Sequence, residues 1–147
     1  MTITETVTHD DIQFIHDNLY EFNLKKTGAQ RQEIIVPDTP ERTAFAVRDE
    51  NGDIHGGIVF YFKDDGATLY VELLWMAENL RGQDFGTKLI TKVKKRAIES
   101  GCKKINLTTQ SFQAPGFYPK MGFTLTGTRP NGNHTTYCYE MNLNRAL

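Results

Sequence analysis

The stretch "LRGQDFGTKL", Leu80 to Leu89, places two glycines around an arginine, a glutamine and an aspartate at the start of a helix-like pattern. Glycine inside a helix costs about 1 kcal/mol relative to alanine, so glycines at a helix start mark a backbone with a job other than regularity. Upstream, "ATLYVELLWMA" is rich in β-branched and aromatic residues and reads as a central strand. Downstream, Phe85, Leu89, Val93 and Ala97 recur at helical spacing with Ile90 and Ile98 beside them, and the pattern stops at Gly101. A strand, a glycine turn and a helix present free backbone N–H groups and the positive end of a helix dipole to one small volume, which suits a pyrophosphate. The pattern is neither GxxxxGK[ST] nor GxGxxG, which counts against a nucleotide triphosphatase and a dinucleotide-dependent dehydrogenase.

The elements on either side complete a mixed α/β order. "THDD" resembles a helix start, with Thr8 as cap and Asp11 three residues on, and Ile12, Ile15, Leu19 and Phe22 predict a helix from about His9 to Lys25. A loop with Pro37 and Pro40 follows, then "TAFAVRD" and "DIHGGIVFYFK" flank Asn51-Gly52 as two antiparallel strands of a hairpin. Asp64-Asp65-Gly66 turns the chain into the central strand. Beyond Gly101, "KINLTT" reads as a strand and "APGFYPKMG" as a short helix ended by Gly122. "FTLTGT" and "TTYCYEMNL" pair as a hairpin across "RPNGN".

At 147 residues the chain fits one domain, and its 39% apolar and 24% charged residues are an ordinary globular balance that excludes a disordered or repetitive chain. The start "MTITETVTHDD" lacks the basic and apolar runs of a signal peptide, and no stretch is apolar enough to span a bilayer, so a cytoplasmic protein without a membrane partner is expected. Cys102 and Cys138 have no CxxC spacing and are expected as buried free thiols. His9, His16, His55 and His134 show no metal-ligand spacing; no metal is expected, and most of these histidines read as surface or turn residues. Charge is uneven. Between Arg81 and Lys104, eight cations face two anions, a local balance of +6 that leaves −7 for the rest of a chain of net charge −1. One region could thus welcome an anion, but for Lys92, Lys94, Lys95 and Arg96 individually the wet face of an amphipathic helix is the favoured reading.

With these residues in view, the chain resembles the GNAT superfamily of N-acetyltransferases. "LRGQDFGTKL" is similar to the family's acyl-CoA loop, Arg or Gln, two residues, Gly, one residue, Gly or Ala, with Arg81 and Gly86 fitting its ends. "APGFYPKMGF" is similar to the second signature, with Ala114 four residues before Tyr118 and Gly122-Phe123 closing the short helix. The order of elements follows that fold over nearly the whole chain. The resemblance implies a single acetyltransferase domain over 1–147: a mixed, mostly antiparallel central sheet flanked by helices, with a splayed parallel strand pair forming the acyl-CoA cleft. Two positions depart from the pattern: Asp84 stands where the loop's first glycine is usual, and Ser111 where an asparagine is common seven residues before the tyrosine.

The resemblance also implies roles. Acetyl-CoA is the expected cosubstrate, its pantetheine against the backbone of Leu74, Trp75 and Met76 and its pyrophosphate on Arg81, Gly82, Gln83, Asp84, Phe85, Gly86 and Thr87, with Ser111 nearby. Tyr118 matches the tyrosine that serves as acid to the leaving thiolate; its phenol, with a reference pKa of about 10, stays protonated at neutral pH. Outside that motif it would read as a core tyrosine. Glu72, on the strand face of Tyr70, Leu74 and Met76, matches a strand glutamate used as a base, and a structural ion pair accounts for it equally well. The expected reaction is direct acetyl transfer to a primary amine of a small molecule or peptide. Asp10, Asp11, Asp17, Glu21, Glu33, Asp38 and Glu41 give the first third an acidic cast that suits a cationic amine. A homodimer through an exposed sheet edge is expected by analogy. A non-catalytic CoA-binding module is the second reading, and a nucleic-acid binder using the basic helix the third, with no nucleic-acid motif to support it.

Overall fold

The computed structural model describes residues 1–5, 7–28, 36, 41–113 and 115–143. Pro37, Pro40, Glu33, Asp38 and Ala114, all named above, lie outside the described residues. The elements in order are β1 (Thr2–Thr4), α1 (His9–Thr27), β2 (Arg42–Arg48), β3 (Ile54–Lys63), β4 (Thr68–Met76), α2 (Phe85–Glu99), β5 (Lys104–Gln110), α3 (Phe117–Lys120), β6 (Thr124–Asn131) and β7 (His134–Asn142). Short 3₁₀ turns at Glu78–Leu80 and Ser111–Gln113 precede α2 and α3. The strands form one seven-stranded mixed sheet in the order β1-β2-β3-β4-β5-β7-β6.

Local chemistry explains most boundaries. Thr8 Oγ1 accepts from the Asp11 N–H (3.1 Å) and the Asp11 carboxylate accepts from the Thr8 N–H (2.9 Å), so α1 opens on a capping box. α1 runs to Thr27, two residues beyond the predicted end at Lys25, and is closed by Gly28 at φ 68°, whose N–H donates to the Leu24 carbonyl. The β2–β3 turn carries Gly52 at φ 85°, and the turn before β4 puts Asp64, Asp65 and Gly66 all at positive φ. The last hairpin turns more tightly than "RPNGN" suggests. β6 continues through Pro130 and Asn131, which pair with Thr135 and His134, leaving Gly132 and Asn133 as the turn. Proline is accommodated because β6 is an edge strand.

By its internal contacts the chain falls into two compact units: Met1–Phe60 with Leu73–Leu89, and Tyr61–Glu72 with Ile90–Leu147. In the first, α1 lays Ile12 and Ile15 against Val36, Ala44, Ala46 and Val59, joined by Val7, Ile54, Leu73 and Trp75. In the second, β4 and β5 run parallel from Thr68↔Lys104 to Val71↔Leu107, and β5 pairs with β7 along its length to Gln110↔Thr136. Its buried side chains include Leu69, Val93, Ile105, Leu107, Phe123 and Met141. Two sequence expectations are corrected. Ile98 is 47% exposed, lying outside the stripe of Leu89, Val93 and Ala97. Cys102 is a buried free thiol whose pKa burial raises, but Cys138 is only half-buried, because it faces Gly127, which has no side chain to cover it.

No helix among the described residues is long and apolar enough to cross a membrane.

Candidate active site

The loop from Leu80 to Thr87 is built by three backbone devices in the first unit. β4 ends at Met76 and the chain makes one 3₁₀ turn, in which Leu80 N–H donates to Ala77 O (3.0 Å) and Arg81 N–H to Glu78 O (3.1 Å). Gly82 then takes φ 81° and Asp84 φ 63°, so the backbone enters the left-handed region twice within three residues. Asparagine and aspartate tolerate that region better than other non-glycine residues, which lets Asp84 stand where a glycine is usual. Finally, Lys88 N–H donates to Asp84 O at 3.0 Å, the first bond of α2. The N–H groups of Phe85, Gly86 and Thr87 therefore form the first turn of a 15-residue helix, at the positive end of its dipole.

Side chains of this unit sort into those that build the loop and those that face solvent. Phe85 is buried, so it offers a ligand only its backbone. Trp75 stacks edge-on against Phe14 (6.2 Å between centroids) and packs on the α1 core; it too is a wall. Leu74 and Met76 are half-buried at the end of β4, while Gly82, Gln83, Asp84 and Thr87 are exposed and Gly86 is half-buried. The exposed Arg81 guanidinium stands 5.5 Å over the Phe22 ring, which holds a cation beside the loop. Gln83 is turned back on the 3₁₀ turn, its Nε2 donating to Asn79 O at 2.7 Å.

The second unit holds Glu72, Ser111 and Tyr118. Tyr118 is buried in α3, ringed by Phe117, Phe123 and Tyr139 at centroid distances of 5.2, 5.8 and 5.7 Å. Burial, with a smaller push from Tyr139, raises its phenol well above the usual tyrosine value, so the group is a protonated donor throughout the working pH range. Its carbonyl accepts from Met121 N–H (2.9 Å) and Phe123 N–H (3.1 Å), and Gly122 at φ 98° makes that reversal possible. The Gly-Phe pair of the second signature thus seats the tyrosine. Glu72 is half-buried, one residue beyond Val71, where the parallel register with β5 ends. Ser111 Oγ accepts from Thr135 N–H at 3.1 Å, tying the turn after β5 to β7.

The acidic cast of the N-terminal third is partly structural. Asp11 caps α1 and also bridges Arg48 at 2.8 Å; burial raises its carboxyl, and the Thr8 and Arg48 hydrogen bonds outweigh that and leave it below the ordinary aspartate value. Asp17 accepts from Gln13 at 2.9 Å. Sequence reading missed His55 and Asn79, whose rings and amides meet beside the loop at 3.2 Å. Twenty-four residues separate them, and no local motif links them. Among the described residues no group of three or more His, Cys, Asp or Glu side chains converges as a metal site.

The sequence profile of the acetyltransferase (GNAT) family matches residues 10–123. The chain belongs to the GNAT acetyltransferase family. A blasticidin-S acetyltransferase from Streptomyces morookaense is 37% identical over 83 residues, 56% of this chain and 60% of that protein, so the match leaves two-fifths of the relative uncovered. A crystal structure of an acetyltransferase from Bacillus cereus superposes with a TM-score of 0.66 at 27% identity, covering 95% of this chain and 96% of that one. A streptothricin acetyltransferase from Bacillus anthracis, solved in complex with acetyl coenzyme A, shares the fold at TM-score 0.64 and 22% identity, over 77% and 70% of the two chains. This GNAT chain therefore carries the family's α/β fold, with its parallel β4–β5 pair at the centre of the sheet.

Proposed function

We propose that this GNAT protein transfers the acetyl group of acetyl-CoA to a primary amine of a small molecule or peptide by direct attack. The observation that carries the reading is the loop of Arg81 to Thr87: two left-handed residues, three consecutive N–H groups in the first turn of α2, and a guanidinium beside them. An anionic pyrophosphate fits such a cradle on charge and on donors. Residues 72–76, the part of β4 beyond its pairing with β5, supply backbone for the pantetheine amides. The relative named for blasticidin S supports a small-molecule acceptor.

In the reaction the amine nitrogen bonds to the thioester carbonyl carbon, the C–S bond breaks, and the amine loses a proton as the sulfur gains one. Bound acetyl-CoA supplies the acyl thioester. Tyr118 donates a hydrogen bond to the departing sulfur; because its pKa is raised above that of an ordinary thiol, it stabilises the thiolate rather than surrendering its proton for good. Glu72 accepts the proton of the incoming ammonium, directly or through water, so that the amine attacks as the free base. No metal enters this scheme. The chain pairs with a second copy of itself through the exposed edge strand β6.

The test is release of CoA thiol from acetyl-CoA with a panel of amines, polyamines and peptide N-termini. Turnover with at least one amine is expected, and Tyr118→Phe lowers kcat by about 10²-fold with little change in acetyl-CoA affinity. Tight acetyl-CoA binding without turnover on any amine would favour a CoA-binding module instead, and an unchanged kcat removes Tyr118 from the mechanism.

A further inference from the structure

Asp49, His55 and Asn79 form a hydrogen-bonded chain that neither acyl transfer nor phosphate binding uses. Asp49 Oδ1 accepts from the N–H groups of Asn51 (2.9 Å) and Asp53 (3.0 Å), which fixes the carboxylate in the β2–β3 turn. Its Oδ2 lies 2.8 Å from His55 Nε2. That histidine bond holds the Asp49 carboxyl below its ordinary value against desolvation, with the two backbone donors helping. An ionised carboxylate only accepts, so Nε2 donates to it, and Nδ1 is the nitrogen left to face Asn79. Nδ1 lies 3.2 Å from Asn79 Nδ2, which can only donate.

Both ends of this chain are anchored in backbone. His55 O accepts from Ala77 N–H at 2.8 Å, where β4 has just ended, and Asn79 sits in the middle of the 3₁₀ turn, its carbonyl accepting from Gln83 Nε2. One imidazole on β3 is thus tied at one nitrogen to a rigid turn and at the other to the segment that leads into Gly82 and Asp84. We propose that His55 is a positioning residue for acyl-CoA binding: through Asn79 it holds the Glu78–Asp84 segment in its binding-competent shape before the ligand arrives. This rests on the reading of the loop as the pyrophosphate cradle. The principle is preorganisation; a loop that is competent only part of the time binds with an affinity reduced by that fraction.

Two conservative replacements separate the two nitrogens. Asparagine at 55 puts a carbonyl near the place of Nδ1 and keeps an acceptor for Asn79, whereas glutamine puts an amide near the place of Nε2 and keeps the link to Asp49. His55→Gln and Asn79→Ala are expected to raise the KM for acetyl-CoA roughly three- to tenfold, the range of one hydrogen bond, with kcat little changed. His55→Asn keeps the parent KM, and the double variant His55→Gln with Asn79→Ala is no worse than either single one. Hydrogen exchange without ligand gives a second readout: the amides of 82–87 exchange faster in His55→Gln and Asn79→Ala, and at the parent rate in His55→Asn. Parent-like KM and exchange in His55→Gln and Asn79→Ala overturn the proposal, as does an equal loss in His55→Asn and His55→Gln. A fall in melting temperature common to all three with unchanged KM assigns a merely structural role and overturns it too. The exchange measurement needs no acetyl-CoA, so it tests the anchoring even if the parent proves inactive, a failure that counts against the acyl-transfer reading alone.

Discussion

Asp84 concentrates two opposing forces in one residue. At φ 63° its backbone sits where a side chain with a Cβ is strained, and its carboxylate stands beside the N-terminus of α2. Sequence reasoning alone weighs the charge: favourable to the empty loop by about 0.3 to 1 kcal/mol and repulsive to an incoming phosphate. The observed dihedral adds a strain that glycine would relieve, so Asp84→Gly is expected to leave the unfolding free energy within roughly 0.5 kcal/mol of the parent. It should bind acetyl-CoA more tightly by a factor of a few. Asp84→Asn isolates the charge, because asparagine tolerates the left-handed region as well; its affinity should rise by a similar factor. Calorimetric titration of both variants decides the matter, and weaker binding by either one would mean that the carboxylate points away from the phosphates.

Elements whose determinants are local were legible in the sequence, and those set by distant partners were not. α1 was readable because Thr8 and Asp11 carry its cap within four residues, and the start of α2 because the glycine turn ends where the apolar stripe begins. β1 has only three residues and exists through pairing with Ala46, Val47 and Arg48, more than forty positions away. The His55–Asn79 contact has the same character, and so does the bond from Thr135 to Ser111. Tyr118 was found through its Gly122-Phe123 context, and its burial among three rings then supplied the raised pKa. Packing between α1 and β3 is a further case. A Cβ at Gly57 would lie 2.5 Å from Ile15 Cδ1 and 3.1 Å from the Phe45 carbonyl, and Ile15 is fully buried. Gly57→Ala should therefore lose about 1 to 3 kcal/mol of stability in denaturant unfolding. Adding Ile15→Val removes Cδ1 and should restore part of it; losses that simply add would show that the helix is not seated on this glycine.

At the scale of the whole molecule, the sheet has two edges, and they differ in what they offer a partner. β1 is three residues long, whereas β6 has eight, all exposed, and at about 3.4 Å per residue presents roughly 27 Å of edge. Such an edge invites pairing unless something blunts it. Here two features interrupt it. The register with β7 shifts between Leu125 and Gly127, where Thr126 Oγ1 bonds the Cys138 carbonyl instead, and Pro130 removes one donor near the far end. A continuous intermolecular sheet is therefore disfavoured, and a dimer on this edge would rest on side chains, chiefly Leu125, which is 47% exposed. Light scattering at micromolar concentration should report twice the 16.8 kDa of one chain. Leu125→Glu should shift it toward the monomer while leaving the melting temperature of the monomer intact, since the residue is not in the core. A parent that scatters as 16.8 kDa at every concentration, or a Leu125→Glu variant that stays dimeric, would remove β6 from the interface.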